Sequence, residues 1–182
     1  MNKNIYLLLL LVLPLSVFGQ LSDSYDEMLS ESDPAYEEYE PIILKASEYV
    51  FTQPINSRSK EYIAAHRIIE YWKNKDTGMG IPLGNEFYDT LTNEKGLQYY
   101  YMISMMQYQL DQKINNNRVL SCIPVPGEIY KDQDDVSEVQ LEGAKILLEY
   151  ISDKLNKVSV NAATKEYVKA YKKGKLKDLF LN

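Results

Sequence analysis

The chain has one histidine, His66, and one cysteine, Cys122, so imidazole or thiol chemistry must run through those two positions. Glu70 follows His66 by four residues. On a helix that spacing brings the two side chains within reach for a hydrogen bond or ion pair. A histidine beside a carboxylate is the equipment of general acid–base catalysis, and on that view the protein is a hydrolase using His66 with Glu70. The same pattern describes a boundary histidine satisfied by its neighbour, and this is the reading adopted. No residue is assigned as catalytic, and His66 and Glu70 stand as the candidates. Cys122 and His66 could form a nucleophile–base pair by meeting in space, yet neither lies in a recognisable signature. A single thiol forms no internal disulfide. Cys122 has no basic neighbour to favour a thiolate, and Ile123 and Val125 beside it look core-like. A buried, inert thiol is expected.

Metal and cofactor chemistry finds little support. One His and one Cys do not complete a four-ligand His/Cys zinc site without added carboxylates. Asp132-Gln133-Asp134-Asp135 starts like a calcium loop, but the fifth, sixth and twelfth positions are Val136, Ser137 and Gly143, where oxygen, glycine and glutamate are required. The glycines of 78–84 lack the G-x-G-x-x-G spacing of a phosphate cradle. No metal and no cofactor are therefore expected. Tyr62, Tyr71 and Trp72 are candidates for a binding surface, an aromatic platform for a sugar or peptide, although rings at helical spacing are more often core. Lys165, Lys169, Lys172, Lys173, Lys175 and Lys177 concentrate positive charge near the C-terminus. They suit an acidic partner or an anionic membrane surface. A solvated helix face with cations near a helix C-terminus is the preferred expectation, with the acidic leader able to fold over the patch.

The elements that would position these residues are helical. Residues 1–19 read as a signal peptide: Lys3, an apolar run from Ile5 to Leu13, then Pro14, Ser16 and Gly19. The run is shorter than the ~20 residues of a membrane span. The mature chain is expected to begin at Gln20, exported to the periplasm or beyond, with no transmembrane segment after cleavage. Residues 20–40 are acidic and poor in apolar side chains, and a flexible leader is expected there. Residues 41–182 then form a single domain. Apolar spacing predicts helices over about 41–52, 58–75, 94–113, 136–153 and 162–173. The third is apolar nearly all round and should be the buried centre. No convincing strand pattern appears. The fold class is all-α, a compact bundle of about five helices.

The composition sets further bounds. Sixteen tyrosines against four phenylalanines and one tryptophan give a core whose many hydroxyls must reach water or a partner. A formal net charge of −6 argues against nucleic acid, since phosphate-backbone affinity comes from Lys and Arg.

From Asn93 onward, Glu94-Lys95-Gly96-Leu97 leads into an apolar helix ending near Leu110. Leu141–Tyr150 reads LEGAKILLEY, and Lys172-Lys173-Gly174-Lys175-Leu176 follows, with Tyr71-Trp72 closing an earlier helix. In these segments, over roughly 42–180, the chain resembles a family of small secreted all-helical bacterial proteins. The resemblance implies an exported helical domain and brings no catalytic residues with it. A second likeness is to small periplasmic immunity proteins that block cell-wall amidase toxins. They share a signal peptide, a compact helical fold and a Cys- and Pro-containing loop, like Cys122 to Gly127, before a final helical pair. They usually use a disulfide, which a chain with one cysteine lacks. Taken together, these readings anticipate an exported, non-enzymatic binding or structural module of the cell envelope. Its partner would be an unidentified protein or envelope component. An immunity-type inhibitor is the first alternative.

Overall fold

The computed structural model describes residues 21–30, 36–92 and 96–180. The signal-peptide expectation for residues 1–19 lies outside them. Within them the chain is all-α, with eight helices: α1 (Leu21–Ser30), α2 (Glu40–Phe51), α3 (Lys60–Lys73), α4 (Glu86–Thr90), α5 (Leu97–Asn116), α6 (Asp134–Ser152), α7 (Ala162–Lys172) and α8 (Leu176–Phe180). Short 3-10 turns lie at Tyr36–Tyr39, Tyr130–Asp132 and Lys154–Asn156. None of the described helices is long and apolar enough to cross a membrane.

Helix starts follow local side-chain chemistry. Ser59, Asn85 and Asn161 stand in extended conformation before α3, α4 and α7, and each side chain accepts a hydrogen bond from the backbone N–H three residues on. Such caps satisfy donors that have no partner inside the helix. The α3 helix thus begins at Lys60, two residues later than the expected start at 58. Asp134 and Asp135 occupy the first turn of α6, where the helix dipole favours them. The α5 helix runs three residues past its expected end at 113, to Asn116. It stops at Asn117, whose φ of 56° is left-handed, a conformation that asparagine tolerates. The expected opening of this helix at Asn93 and Glu94 lies outside the described residues.

As its composition implied, α5 is the buried centre. Its residues Tyr101, Ile103, Met105, Met106 and Leu110 are almost fully enclosed. It packs against α6 on one side and α2 on the other, and α2 in turn packs on α3. Buried amides of the central pair hold the connections in place. Gln109 Nε2 donates to the carbonyls of Gly80 (2.9 Å) and Leu120 (2.8 Å). Gln140 Nε2 donates to Pro82 O at 2.8 Å. The tyrosine hydroxyls also find partners: Tyr150 donates to Gln53 O at 2.7 Å, and Tyr101 to Gln140 O at 2.7 Å. A phenol can therefore fill core volume without leaving a buried hydroxyl unpaired.

The acidic leader is not simply flexible. Residues 21–30 form a helix whose Leu21 and Met28 are buried, and the helix packs on α3. Leu21, Tyr25 and Met28 recur at i, i+4 and i+7, an apolar stripe hidden in the sequence by the acids between them. Glu61 of α3 anchors the start of α1, accepting from Leu21 N (3.0 Å) and Ser22 Oγ (3.1 Å). Farther on, buried Glu40 is paired with Lys113 of α5 at 2.7 Å. Asp33-Pro34, where a proline at the first helical position could open a turn, lies outside the described residues.

Candidate functional site

An open groove of about 800 Å³ runs over α3, walled by Tyr25 of α1 on one side and by Tyr99 and Tyr100 of α5 on the other. Its floor carries Tyr62, His66, Glu70 and Tyr71, the face of α3 that repeats at i, i+4, i+8 and i+9. Four of the five residues singled out in the sequence therefore share one cavity. The fifth does not. Trp72 is buried at 2% exposure and belongs to the core, because its position on α3 lies on the same stripe as Ala65, Ile68 and Ile69. It is no part of an aromatic platform. Tyr62 is buried as well, so its ring packs beside the groove while its hydroxyl takes part in a hydrogen-bond network.

That network is built from tyrosines. The Tyr62 and Tyr100 hydroxyls are hydrogen-bonded to each other, and Tyr62 Oη also accepts from Asn56 N at 3.2 Å. His66 sits half-buried among rings. Tyr62 meets it edge-on with centroids 4.5 Å apart, and Tyr99 stacks on it at 5.6 Å with planes 24° apart. His66 Nδ1 lies 3.5 Å from the Tyr99 hydroxyl. Burial lowers the His66 pKa from its ordinary value, and the nearby Glu70 charge opposes that shift. The imidazole is thus mainly neutral at pH 7. Burial first, and then a hydrogen bond to Glu70, hold the Tyr99 hydroxyl far above the usual tyrosine range. Tyr99 therefore stays protonated beside His66. The direct His66–Glu70 pairing anticipated from the i+4 spacing does not form: His66 meets the Tyr99 hydroxyl instead, and the Glu70 carboxylate forms an ion pair with Lys73 at 3.1 Å.

Tyr99 and Tyr100 were hidden inside a helix read as uniformly core. Three consecutive tyrosines, 99–101, are the signal that could have found them. At about 100° per residue they span roughly 200°, more than a half-turn, so they cannot all face one side. Tyr101 is fully buried, Tyr100 is nearly so, and Tyr99 reaches the groove.

Cys122 lies elsewhere. It is buried on the segment between α5 and α6, with its N–H donating to Asp135 Oδ2 at 2.7 Å and its carbonyl accepting from Tyr130 Oη at 3.0 Å. Burial, reinforced by the Asp135 charge, pushes the thiol up to about 12. Its flanking residues differ from expectation: Ile123 and Val125 are 49% and 44% exposed. The segment turns at Cys122, whose φ is 49°, so the thiol points inward while its neighbours do not. The structure does not bring Cys122 and His66 together. Asp135, from the acidic run that fails the calcium-loop pattern, is committed to the Cys122 backbone, and no cluster of His, Cys, Asp or Glu suited to a metal occurs among the described residues.

No family model matches the chain, and no curated protein or solved structure does either. The reading of function therefore rests on the groove itself.

Proposed function

We propose that the protein is an exported, non-enzymatic binding module of the cell envelope whose ligand lies in the groove over α3. The observation that carries this reading is the character of the lining. Aromatic rings and phenolic hydroxyls surround one arginine, one glutamate and a neutral histidine. Such a wall offers little net charge, many hydrogen-bonding groups and flat apolar surfaces. It suits a neutral polar ligand with apolar faces, of which an envelope glycan is the representative case. A strongly anionic ligand would face Glu70 with a single arginine, Arg67, in opposition, and a purely apolar one would strand the hydroxyls.

Export is supported by the n-region, apolar run and cleavage pattern of residues 1–19. N-terminal sequencing of protein recovered from envelope fractions is expected to begin at Gln20; an intact leader on cytosolic protein would overturn export. For the groove, soluble cell-wall glycan fragments titrated into the protein should shift its tyrosine and tryptophan fluorescence. Tyr71→Ala and Glu70→Ala should abolish the shift while leaving the helical circular dichroism intact. An unchanged response in both variants would remove the groove from the account.

The His66–Tyr99 contact in a groove that also holds Glu70 favours a second reading, a hydrolase in which the neutral imidazole acts as a base. A folded His66→Ala protein that loses a measured turnover would establish it in place of the binding role.

A further inference from the structure

Charge is segregated along this chain. Residues 154–182 hold eight lysines and two acidic residues, whereas residues 1–153 hold twelve Lys and Arg against twenty-four Asp and Glu. The fold keeps this imbalance together, because α7 packs on α6 and α8 packs on both, so the lysine-rich segments are neighbours in space. Within α7 the lysines are ordered. Lys165, Lys169, Lys172 and Lys173 recur at i, i+4, i+7 and i+8, while Thr164 and Tyr167 occupy the buried side. All four are exposed, and so are Lys175 and Lys177 beyond the turn at Gly174. Lys169 pairs with Glu166, a neighbour on the same exposed face. The described part of the acidic leader lies elsewhere: its helix is docked on α3 and anchored at Glu61, and Glu37 and Glu40 turn toward Lys113.

We infer that the α7–α8 end is a docking surface for an anionic phospholipid bilayer. Three features select a bilayer. The stripe is lysine without arginine, giving diffuse positive charge and no planar fork for a fixed phosphate or carboxylate. Leu179, two residues beyond Lys177 on α8, is 39% exposed, and an interface of headgroups and acyl chains accepts both kinds of side chain. The acidic remainder of the molecule is repelled by the same surface, so approach is oriented, with the lysine end inward. Each lysine near an anionic leaflet contributes a few-fold in affinity, and the attraction fades over a Debye length, so the attachment is reversible and salt-sensitive. This surface is independent of the groove over α3, and neither proposal depends on the other.

The test is co-sedimentation of the purified protein with vesicles of phosphatidylcholine alone or mixed with phosphatidylglycerol. Binding is expected to the anionic vesicles and not to phosphatidylcholine. It should fall at least about tenfold between about 0.05 and about 0.5 M salt. The triple variant Lys165→Gln, Lys169→Gln, Lys172→Gln should bind on the order of a hundredfold more weakly, and the matching Lys→Arg triple should retain binding. These side chains are exposed, so unchanged circular dichroism is expected to accompany the loss. Equal binding to both vesicle types, or none to the anionic ones, would overturn the inference. So would salt-sensitive self-association in sedimentation velocity without vesicles, which would assign the lysine end to the acidic face of a second copy.

Discussion

Gly143 of α6 lies directly against Met105 of α5. A Cβ placed on Gly143 would stand 2.6 Å from Met105 Cγ and 3.1 and 3.2 Å from its backbone N and Cα. The two central helices are therefore in near-backbone contact, and the glycine inside the LEGAKILLEY segment is what permits it. In an open helix, replacing an interior glycine by alanine stabilises by up to about 1 kcal/mol. Here the Met105 side chain could move, but its backbone cannot without separating α5 from α6. Gly143→Ala should cost about 1–3 kcal/mol in urea unfolding, reversing the usual sign. A more stable variant would show that the helices are not in such close contact.

Tyr101 connects three elements through one oxygen. Its hydroxyl donates to Gln140 O at 2.7 Å and accepts from Asn85 Nδ2 at 3.0 Å. Tyr101→Phe keeps the ring contact with Phe87 but strips a partner from two groups in the interior. A loss of about 1–3 kcal/mol is expected, against little change for Tyr71→Phe, whose ring is only partly buried. Equal effects in the two variants would contradict the described network.

The Cys122 thiol should be silent in the native protein. Pushed up to about 12, it is almost wholly protonated at pH 8, and its sulfur is buried. A chromogenic disulfide reagent should label it slowly in buffer and rapidly in denaturant. Because the folded value lies above the ordinary 9.0, the native state holds this proton more tightly. Its contribution therefore leaves stability unaffected below about pH 9 and lowers it as pH rises from there toward about 12. Cys122→Ala should flatten that alkaline decline.

His66 gives the opposite dependence. Its folded value lies below the ordinary 6.5, chiefly through burial, so the unfolded chain binds the proton more readily in the window beneath 6.5. Stability should fall as pH drops from 7 through that window, and His66→Gln should reduce the slope. Since the chain has one imidazole, its proton resonances titrate without overlap, and a midpoint below 6.5 is expected. A midpoint above 6.5 would mean that Glu70 outweighs burial.

The five long helices were readable because each carries its own apolar stripe, and buried α5 because it lacks a polar side. Ile42, Ile43, Ala46, Tyr49 and Val50 announce α2 in the same way that Ala144, Leu147 and Ile151 announce α6. The α1 helix was missed for a physical reason: its stripe is three residues wide and sits among acids, so local composition argued for a flexible leader while packing on α3 favoured a helix. Trp72 shows the same limit from the other side, since spacing placed it near His66 but left open whether it faced solvent or core.

Sequence alone determined the helical class, the central helix, the charge segregation and the scarcity of imidazole and thiol chemistry, because periodicity and composition are properties of the chain. Tertiary structure decided which side chains meet. It set Tyr99 beside His66, gave Cys122 to Asp135 and docked the leader on α3. Those partners lie up to 40 positions apart, and packing of whole helices, rather than any local rule, fixes their distance.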